Sequence, residues 1–241
     1  MIERGLVLIA GIPASKANTL VDDQVSITTE DSVRPFVSRG GEKLAGALVV
    51  FGVDVEGSMC LDVGASTGGF TDCLLQAGAA SVTAVDVGYG QLAWRLQTDP
   101  RVRVVERTNI RYAEPEALGA PFDVVVADLS FISLCTVAPV LAECGSTDTD
   151  YIVLVKPQFE AGRGQVGKGG IIRDASVRLG TVDKVIGCLA DVGLGTRGVM
   201  RSPLQGTDGN LEFLLWARRG EGSVHAATPD LDEGVSYVAD P

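Results

Sequence analysis

From residue 59 onward the chain alternates short, nearly continuous apolar runs with glycine-rich turns and helical stretches, and this alternation limits its fold more than any other feature. Residues 59–63 form an apolar run that stops at Gly64, a helical pattern follows over 70–77, and a second run over 81–86 ends in an acid. Residues 91–96 read as helix, 102–105 as strand, 122–129 as buried strand, 132–144 as helix and 151–156 as strand. A glycine-rich loop at 162–170 precedes a long helix over 175–192 and a late strand over 211–216. Strands this uniformly apolar are covered on both faces, so the spacing predicts an α/β fold with a doubly wound, mostly parallel sheet. Residues 1–36 differ, with short runs at 7–9 and 25–27 that are too few to bury an independent core.

Composition removes several chemistries. The single histidine, His225, lies in a polar C-terminal stretch, so Ser-His-Asp, Cys-His and multi-histidine zinc catalysis have no raw material, and no metal is expected. The five cysteines are scattered and form no C-x-x-C pair, which points to a reducing, cytoplasmic setting. No apolar run approaches the roughly 18 residues of a membrane span. The formal net charge of -11 argues against a surface that embraces nucleic acid throughout. That charge is uneven: residues 221–241 hold five acids and no Lys or Arg, and read as a disordered tail.

The turn after the first run reads Leu61-Asp62-Val63-Gly64-Ala65-Ser66-Thr67-Gly68-Gly69-Phe70-Thr71-Asp72. Glycine permits a tight turn and lets a ligand approach the backbone. Gly64, Gly68 and Gly69 do not have the dinucleotide spacing G-x-G-x-x-G, and no Gly-Lys-Ser/Thr ending cradles a phosphate. Asp62 repels a pyrophosphate but accepts from a cationic amine, and Asp86, at the end of the second run, suits the two hydroxyls of a ribose. Together they point to S-adenosylmethionine; an ordinary glycine-rich turn is the bland alternative.

Charges also end the later runs. Asp128 follows residues 124–127, Lys156 follows 152–155, and Glu212 interrupts the run over 211–216. A lone charge among such neighbours requires a partner or water. In doubly wound sheets ligands bind beyond the carboxyl ends of the strands, where Asp128 and Lys156 project. A rim salt bridge accounts for either one singly; two in consecutive strands beside this loop favour function. Lys43 opens a helix with an apolar stripe of Leu44, Leu48 and Phe51, and taken alone reads as a solvated first-turn residue. The 162–170 loop fits a lid and a plain surface loop equally.

Six segments, taken in order, resemble one known family. They are Ser38-Arg39-Gly40-Gly41-Glu42-Lys43-Leu44, the 61–72 turn, Asp86-Val87-Gly88-Tyr89-Gly90-Gln91-Leu92, Val126-Ala127-Asp128-Leu129-Ser130-Phe131-Ile132-Ser133, Leu154-Val155-Lys156-Pro157-Gln158-Phe159-Glu160 and Gly209-Asn210-Leu211-Glu212-Phe213. The chain is similar to the TlyA family, FtsJ-like bacterial ribosomal RNA methyltransferases also called haemolysins. The resemblance implies a Rossmann-like methyltransferase domain over 38–220 that methylates a ribose 2′-hydroxyl of ribosomal RNA, free or in a ribosomal subunit. It implies a catalytic tetrad of Lys43, Asp128, Lys156 and Glu212. It also implies cofactor contacts from Asp62, Gly64, Ala65, Ser66, Gly68, Gly69, Phe70, Asp86, Val87, Asn109 and Asp128. Lys156, crowded near another ammonium, is then the base, and alignment of the two substrates supplies much of the acceleration.

Residues 5–13 resemble the latter part of the S4-type RNA-binding domain that precedes the methyltransferase in this family, so residues 1–33 are expected to be a partial S4-like segment and 34–37 a linker. Phe36 stands where relatives often carry tryptophan. Local RNA contact is expected from Arg4, Lys16, Arg34 and Arg39. Other readings are a membrane-active haemolysin, for which no basic amphipathic helix or span is visible, and a non-catalytic RNA-binding assembly factor, which needs no full tetrad. A nicotinamide oxidoreductase is disfavoured by the glycine spacing.

Overall fold

In the computed structural model, which describes residues 2, 7–10, 12–22, 25, 27–29, 35–162, 164–167, 169–206 and 208–238, the apolar runs become strands. Residues Met1–Pro35 and Phe36–Pro241 form two units. In the first, β1 (Val7–Ile9) pairs antiparallel with β2 (Ile12–Pro13) and β3 (Ile27–Thr29), the last two residues later than the sequence pattern placed it.

The second unit runs α1 (Arg39–Phe51), β4 (Met59–Val63), α2 (Gly69–Gln76), β5 (Ser81–Val85), α3 (Trp94–Gln97), β6 (Val102–Val105), α4 (Pro115–Leu118), β7 (Phe122–Ala127), α5 (Leu134–Glu143), β8 (Gly145–Val155), α6 (Pro157–Glu160), α7 (Ala175–Asp191), β9 (Leu194–Arg201), β10 (Phe213–Arg219), α8 (Pro229–Glu233) and β11 (Tyr237–Val238). The eight strands lie in the order β11-β9-β10-β8-β7-β4-β5-β6. Strands β4 to β8 pair parallel, whereas β10 runs antiparallel to both β8 and β9. The expected mostly parallel, doubly wound sheet is present.

Alternation along the central strands builds a core on each face. Val124, Val126, Ile152, Leu154 and Leu214 pack with Leu44 and Phe51 of α1 and Phe70 and Leu74 of α2. Val125, Ala127, Val153, Val155 and Leu215 pack with Leu141 of α5 and Val185 and Leu189 of α7. Strands covered on both faces have no polar alternation, which is why they read as continuous apolar runs.

Strand β8 begins at Gly145, six residues before the expected strand, and three further expectations change. The helix at 91–96 contracts to α3, a single turn. Cys135 and Cys188 are joined in a disulfide linking α5 to α7, so the five cysteines are not all separate thiols, whereas Cys60, Cys73 and Cys144 are buried and free. The 221–241 tail, expected to be disordered, folds over its described residues 221–238. Leu231 is fully buried against α7 and β9, and Tyr237 pairs with Val199 at the sheet edge. The prediction of disorder followed from the tail's acidic, weakly apolar composition; Leu231 is nonetheless in the core, with Val224, Ala227 and Tyr237 packed against it.

Candidate active site

The carboxyl ends of the parallel strands meet at one edge, as the topology requires. β4 ends at Val63 beside Val85 of β5 and Ala127 of β7, and Ala127 pairs with Val153 of β8. Asp86, Asp128 and Lys156 each follow the last residue of a strand, so they emerge together. Because β10 is antiparallel, its first residue, Phe213, pairs with Val155; continuing that register sets Glu212 opposite Lys156. The late strand thus begins one residue beyond Glu212 instead of enclosing it.

Two lysine–carboxylate pairs result. Lys156 Nζ lies 2.6 Å from Asp128 Oδ1 and donates to Ser130 Oγ at 3.0 Å. Lys43, on the buried face of α1, forms an ion pair with Glu212, and both are nearly excluded from solvent. Each charge that stood alone in an apolar run therefore has a partner. The charged partner that the structure shows for Lys156 is the Asp128 carboxylate.

Beside the Lys156–Asp128 pair lies a cleft of about 640 Å³ lined by Gly64, Ser66, Asp86, Val87, Asn109 and Asp128 among others. Gly64 has φ +86° and no room for a Cβ, which would run into the Asp128 carbonyl oxygen. Asp86 Oδ2 accepts from the Ser66 N–H at 2.8 Å and Oδ1 from the Gly88 N–H at 2.6 Å. These bonds fix the carboxylate while leaving acceptor capacity on each oxygen. Asn109 Oδ1 accepts from the Arg111 N–H at 3.1 Å, capping a 3₁₀ turn at Ile110–Tyr112 in the cleft wall.

Other residues of the turn lie beneath it. Asp62 is fully buried; its Oδ2 accepts from Thr71 Oγ1 at 2.6 Å, while Oδ1 has no hydrogen-bond partner among the described residues. Burial pushes its carboxyl up to about 7, opposed by the Thr71 hydrogen bond and reinforced by Asp128 and Asp86. Ala65 and Phe70 are buried. Gly68 packs by Leu92 and Leu96, and Gly69 by Ser38 and Gly41, so these glycines serve close packing and not the cleft surface. Of the residues expected at RNA, Arg39 is exposed and donates to the Gln205 carbonyl. Lys16 is exposed in the first unit, and Arg4 and Arg34 lie outside the described residues.

Gln91, Thr108, Arg111, Leu129, Ser130, Phe131 and Ile132 also line the cleft; five of them lie in the segments that carry the resemblance, but none was assigned a role from the sequence. Phe131 is 91% exposed with φ +66°, and its ring lies 5.0 Å from that of Phe159. A bulky residue in the left-handed region is uncommon and carries backbone strain. The available signal was its place three residues after Asp128.

The cleft falls within the about 300–1,000 Å³ typical of small-molecule sites. A backbone approach at Gly64, a fixed acceptor at Asp86 and a buried carboxylate with an unpaired oxygen at Asp62 fit a nucleoside carrying a cationic amino-acid portion. No helix among the described residues is long and apolar enough to cross a membrane.

Comparison with known proteins matches residues 36–219 to the FtsJ-like methyltransferase family model. The 16S/23S rRNA (cytidine-2′-O)-methyltransferase TlyA of Mycobacterium tuberculosis is 54% identical over 219 residues, covering 90% of this chain and 82% of that protein. Hemolysin A of Brachyspira hyodysenteriae is 40% identical over 215 residues, 89% of each chain. A solved structure from Streptococcus thermophilus bearing the name hemolysin superposes with TM-score 0.83 at 40% identity, covering 95% of this chain and 86% of that one.

Proposed function

The chain belongs to the FtsJ-like methyltransferase family, and on that premise we propose that it methylates a ribose 2′-hydroxyl of ribosomal RNA with S-adenosylmethionine, in the cytoplasm where ribosomes are made. The observation that carries the reading is the placement of the Lys156–Asp128 pair beside the cleft, with Glu212, Lys43's partner, in register with Lys156. When bound, the cofactor supplies an electrophilic methyl group on a sulfonium. Asp86 receives the cofactor's ribose hydroxyls, and Gly64 lets the ligand approach the backbone. Asp62 answers the cationic end from below.

A ribose hydroxyl is a poor nucleophile, so alignment and proton removal carry the work. Lys156, entering the step as the free amine, would take the hydroxyl proton at Nζ while the oxygen displaces the neutral thioether from the methyl group, and Asp128, 2.6 Å away, would stabilise the ammonium that forms. Ser130 fixes the orientation of Nζ. Lys43 and Glu212 position the acceptor hydroxyl. Phe131, exposed at the cleft mouth, offers the flat apolar face on which an unstacked base sits. Residues 1–33 supply an S4-like RNA contact, and Arg4, Lys16, Arg34 and Arg39 are the candidate phosphate contacts.

Lys156→Ala is expected to abolish methyl transfer while calorimetry finds cofactor affinity nearly intact. Primer extension on ribosomal RNA from cells with and without the gene locates the modified ribose. No difference at any position, or near-normal turnover by Lys156→Ala, would sink the assignment. A membrane-active haemolysin would instead release dye from liposomes without cofactor; no release is expected.

A further inference from the structure

We propose that Asp232, carried by the C-terminal segment beyond the family match, is a positioning residue for the Glu212 end of the active site. The inference rests on the methyltransferase reading above and concerns residues 220–238, which that reading leaves unused. Asp232 sits on α8, whose Leu231 is fully buried against the sheet core. From this anchor two hydrogen-bonded arms run to the segment that holds Glu212.

The first arm passes through Arg178 at the start of α7. Asp232 Oδ1 accepts from Arg178 Nε at 2.7 Å and Oδ2 from Nη2 at 2.5 Å, a bidentate fork with both side chains largely buried. The remaining guanidinium nitrogen donates to the Ile172 carbonyl at 3.0 Å. The Ile172 N–H donates to Asn210 Oδ1 at 2.9 Å, and Asn210 Nδ2 donates to the Gly170 carbonyl at 2.9 Å. Asn210 is 1% exposed, and its carbonyl accepts from the Gly206 N–H at 2.9 Å. Glu212 follows two residues later.

The second arm uses the Asp232 backbone. Its carbonyl accepts from Arg201 Nη1 at 2.8 Å, and the next residue, Ser202, donates its N–H to the Glu212 carbonyl at 2.8 Å. Both arms therefore end on residues 202–212. Glu212 has little slack there, because a Cβ on Gly206 would stand 2.5 Å from its Oε1. A carboxylate this confined holds Lys43 only as accurately as its backbone is held. Without the Asp232 carboxylate, the Arg178 guanidinium lacks its counter-ion, turns toward water and releases the Ile172 carbonyl. The loop at 170–172 then no longer braces Asn210.

The test uses the full chain with Asp232→Asn, Asp232→Glu and Arg178→Lys, the last keeping a charge beside Asp232 but losing the fork. Asp232→Asn and Arg178→Lys are expected to lower kcat for ribosomal RNA at least about tenfold, the scale set by small misplacements of reacting groups. Cofactor affinity stays unchanged by calorimetry, and Asp232→Glu recovers most of kcat. Amide exchange is expected to quicken at Ile172, Ser202 and Gly206 and not in the central strands. An unchanged kcat in folded Asp232→Asn and Arg178→Lys, or exchange at those amides that does not change, overturns the proposal. A wild-type chain that methylates no ribosomal RNA overturns the proposed function instead; selective exchange then still supports the brace, and its absence overturns it.

Discussion

Asp62 is the residue whose proton connects stability to the site. Its ordinary value is 3.8, and burial, opposed by the Thr71 hydrogen bond, raises it to about 7 in the fold. Between those values the folded chain keeps a proton that the unfolded chain has released, so stability falls as pH rises through this window and the loss is complete above the folded value. Asp62→Asn does not titrate. Urea unfolding at several pH values is expected to show the variant gaining on wild type from about 4 to about 7, with a constant gap above. A gap independent of pH would mean that the buried carboxyl is ionised throughout. A cationic ligand over the turn draws the same carboxyl into its charged form, so cofactor binding below about 7 releases a proton. Calorimetry in buffers of different ionisation enthalpy reads that proton, and Asp62→Asn removes it. At this scale the sequence was most legible where a charge broke an apolar run, as at Asp128, Lys156 and Glu212, because burying an unpaired charge is costly. The roles of Phe131 and Ser130, though both lie in a quoted segment, were not legible, since exposure and a hydrogen bond to Lys156 depend on chain segments distant in sequence.

At the scale of elements, the turn between β4 and α2 leaves no room for a Cβ at Gly64, whose φ is +86°. Gly64→Ala is expected to cost about 1–3 kcal/mol in urea unfolding through backbone strain. It also displaces the Asp128 carbonyl, so cofactor affinity falls with it; a variant that binds normally would show the turn to be compliant. The disulfide between α5 and α7 makes a separate, chemical prediction. Burial pushes the thiols of Cys60, Cys73 and Cys144 up to about 12, so the native chain should resist alkylation. Unfolded without reductant, these three cysteines should label and Cys135 and Cys188 should not; labelling of all five by mass spectrometry would refute the bond. Neither the pairing nor β9 was visible in the sequence. Residues 135 and 188 are 53 positions apart, and Leu194–Arg201 contains two glycines and two arginines that obscure any strand period. β9 is a strand because β10 pairs along it. The central strands needed no such help, since each is covered on both faces over a mostly apolar stretch such as residues 124–127 or 151–155.

The whole molecule alters the meaning of its acidity. Five acids at 221–241 give that stretch a composition that predicts disorder, yet part of this charge is used internally. Asp232 binds Arg178 through its carboxylate and Arg201 through its carbonyl, and Asp230 accepts from the Tyr237 hydroxyl at 3.1 Å. Composition averages over a segment, whereas folding depends on where its few apolar groups land. Leu231 lands in the core that Val182, Val185 and Val199 share, Tyr237 packs beside it, and β11 extends the sheet. Leu231→Ala should therefore destabilise the entire second unit, by about 2–5 kcal/mol as for other buried leucines. Equilibrium urea unfolding followed by circular dichroism measures this, with a single transition and an unchanged slope if the tail belongs to the same cooperative unit. A variant as stable as wild type would return the tail to the solvent. The same substitution separates fold from brace: by removing apolar contact while leaving Asp232 and Arg178 intact, it should lower stability far more than kcat measured where the chain is fully folded, whereas Asp232→Asn is expected to lower kcat even in the fully folded chain.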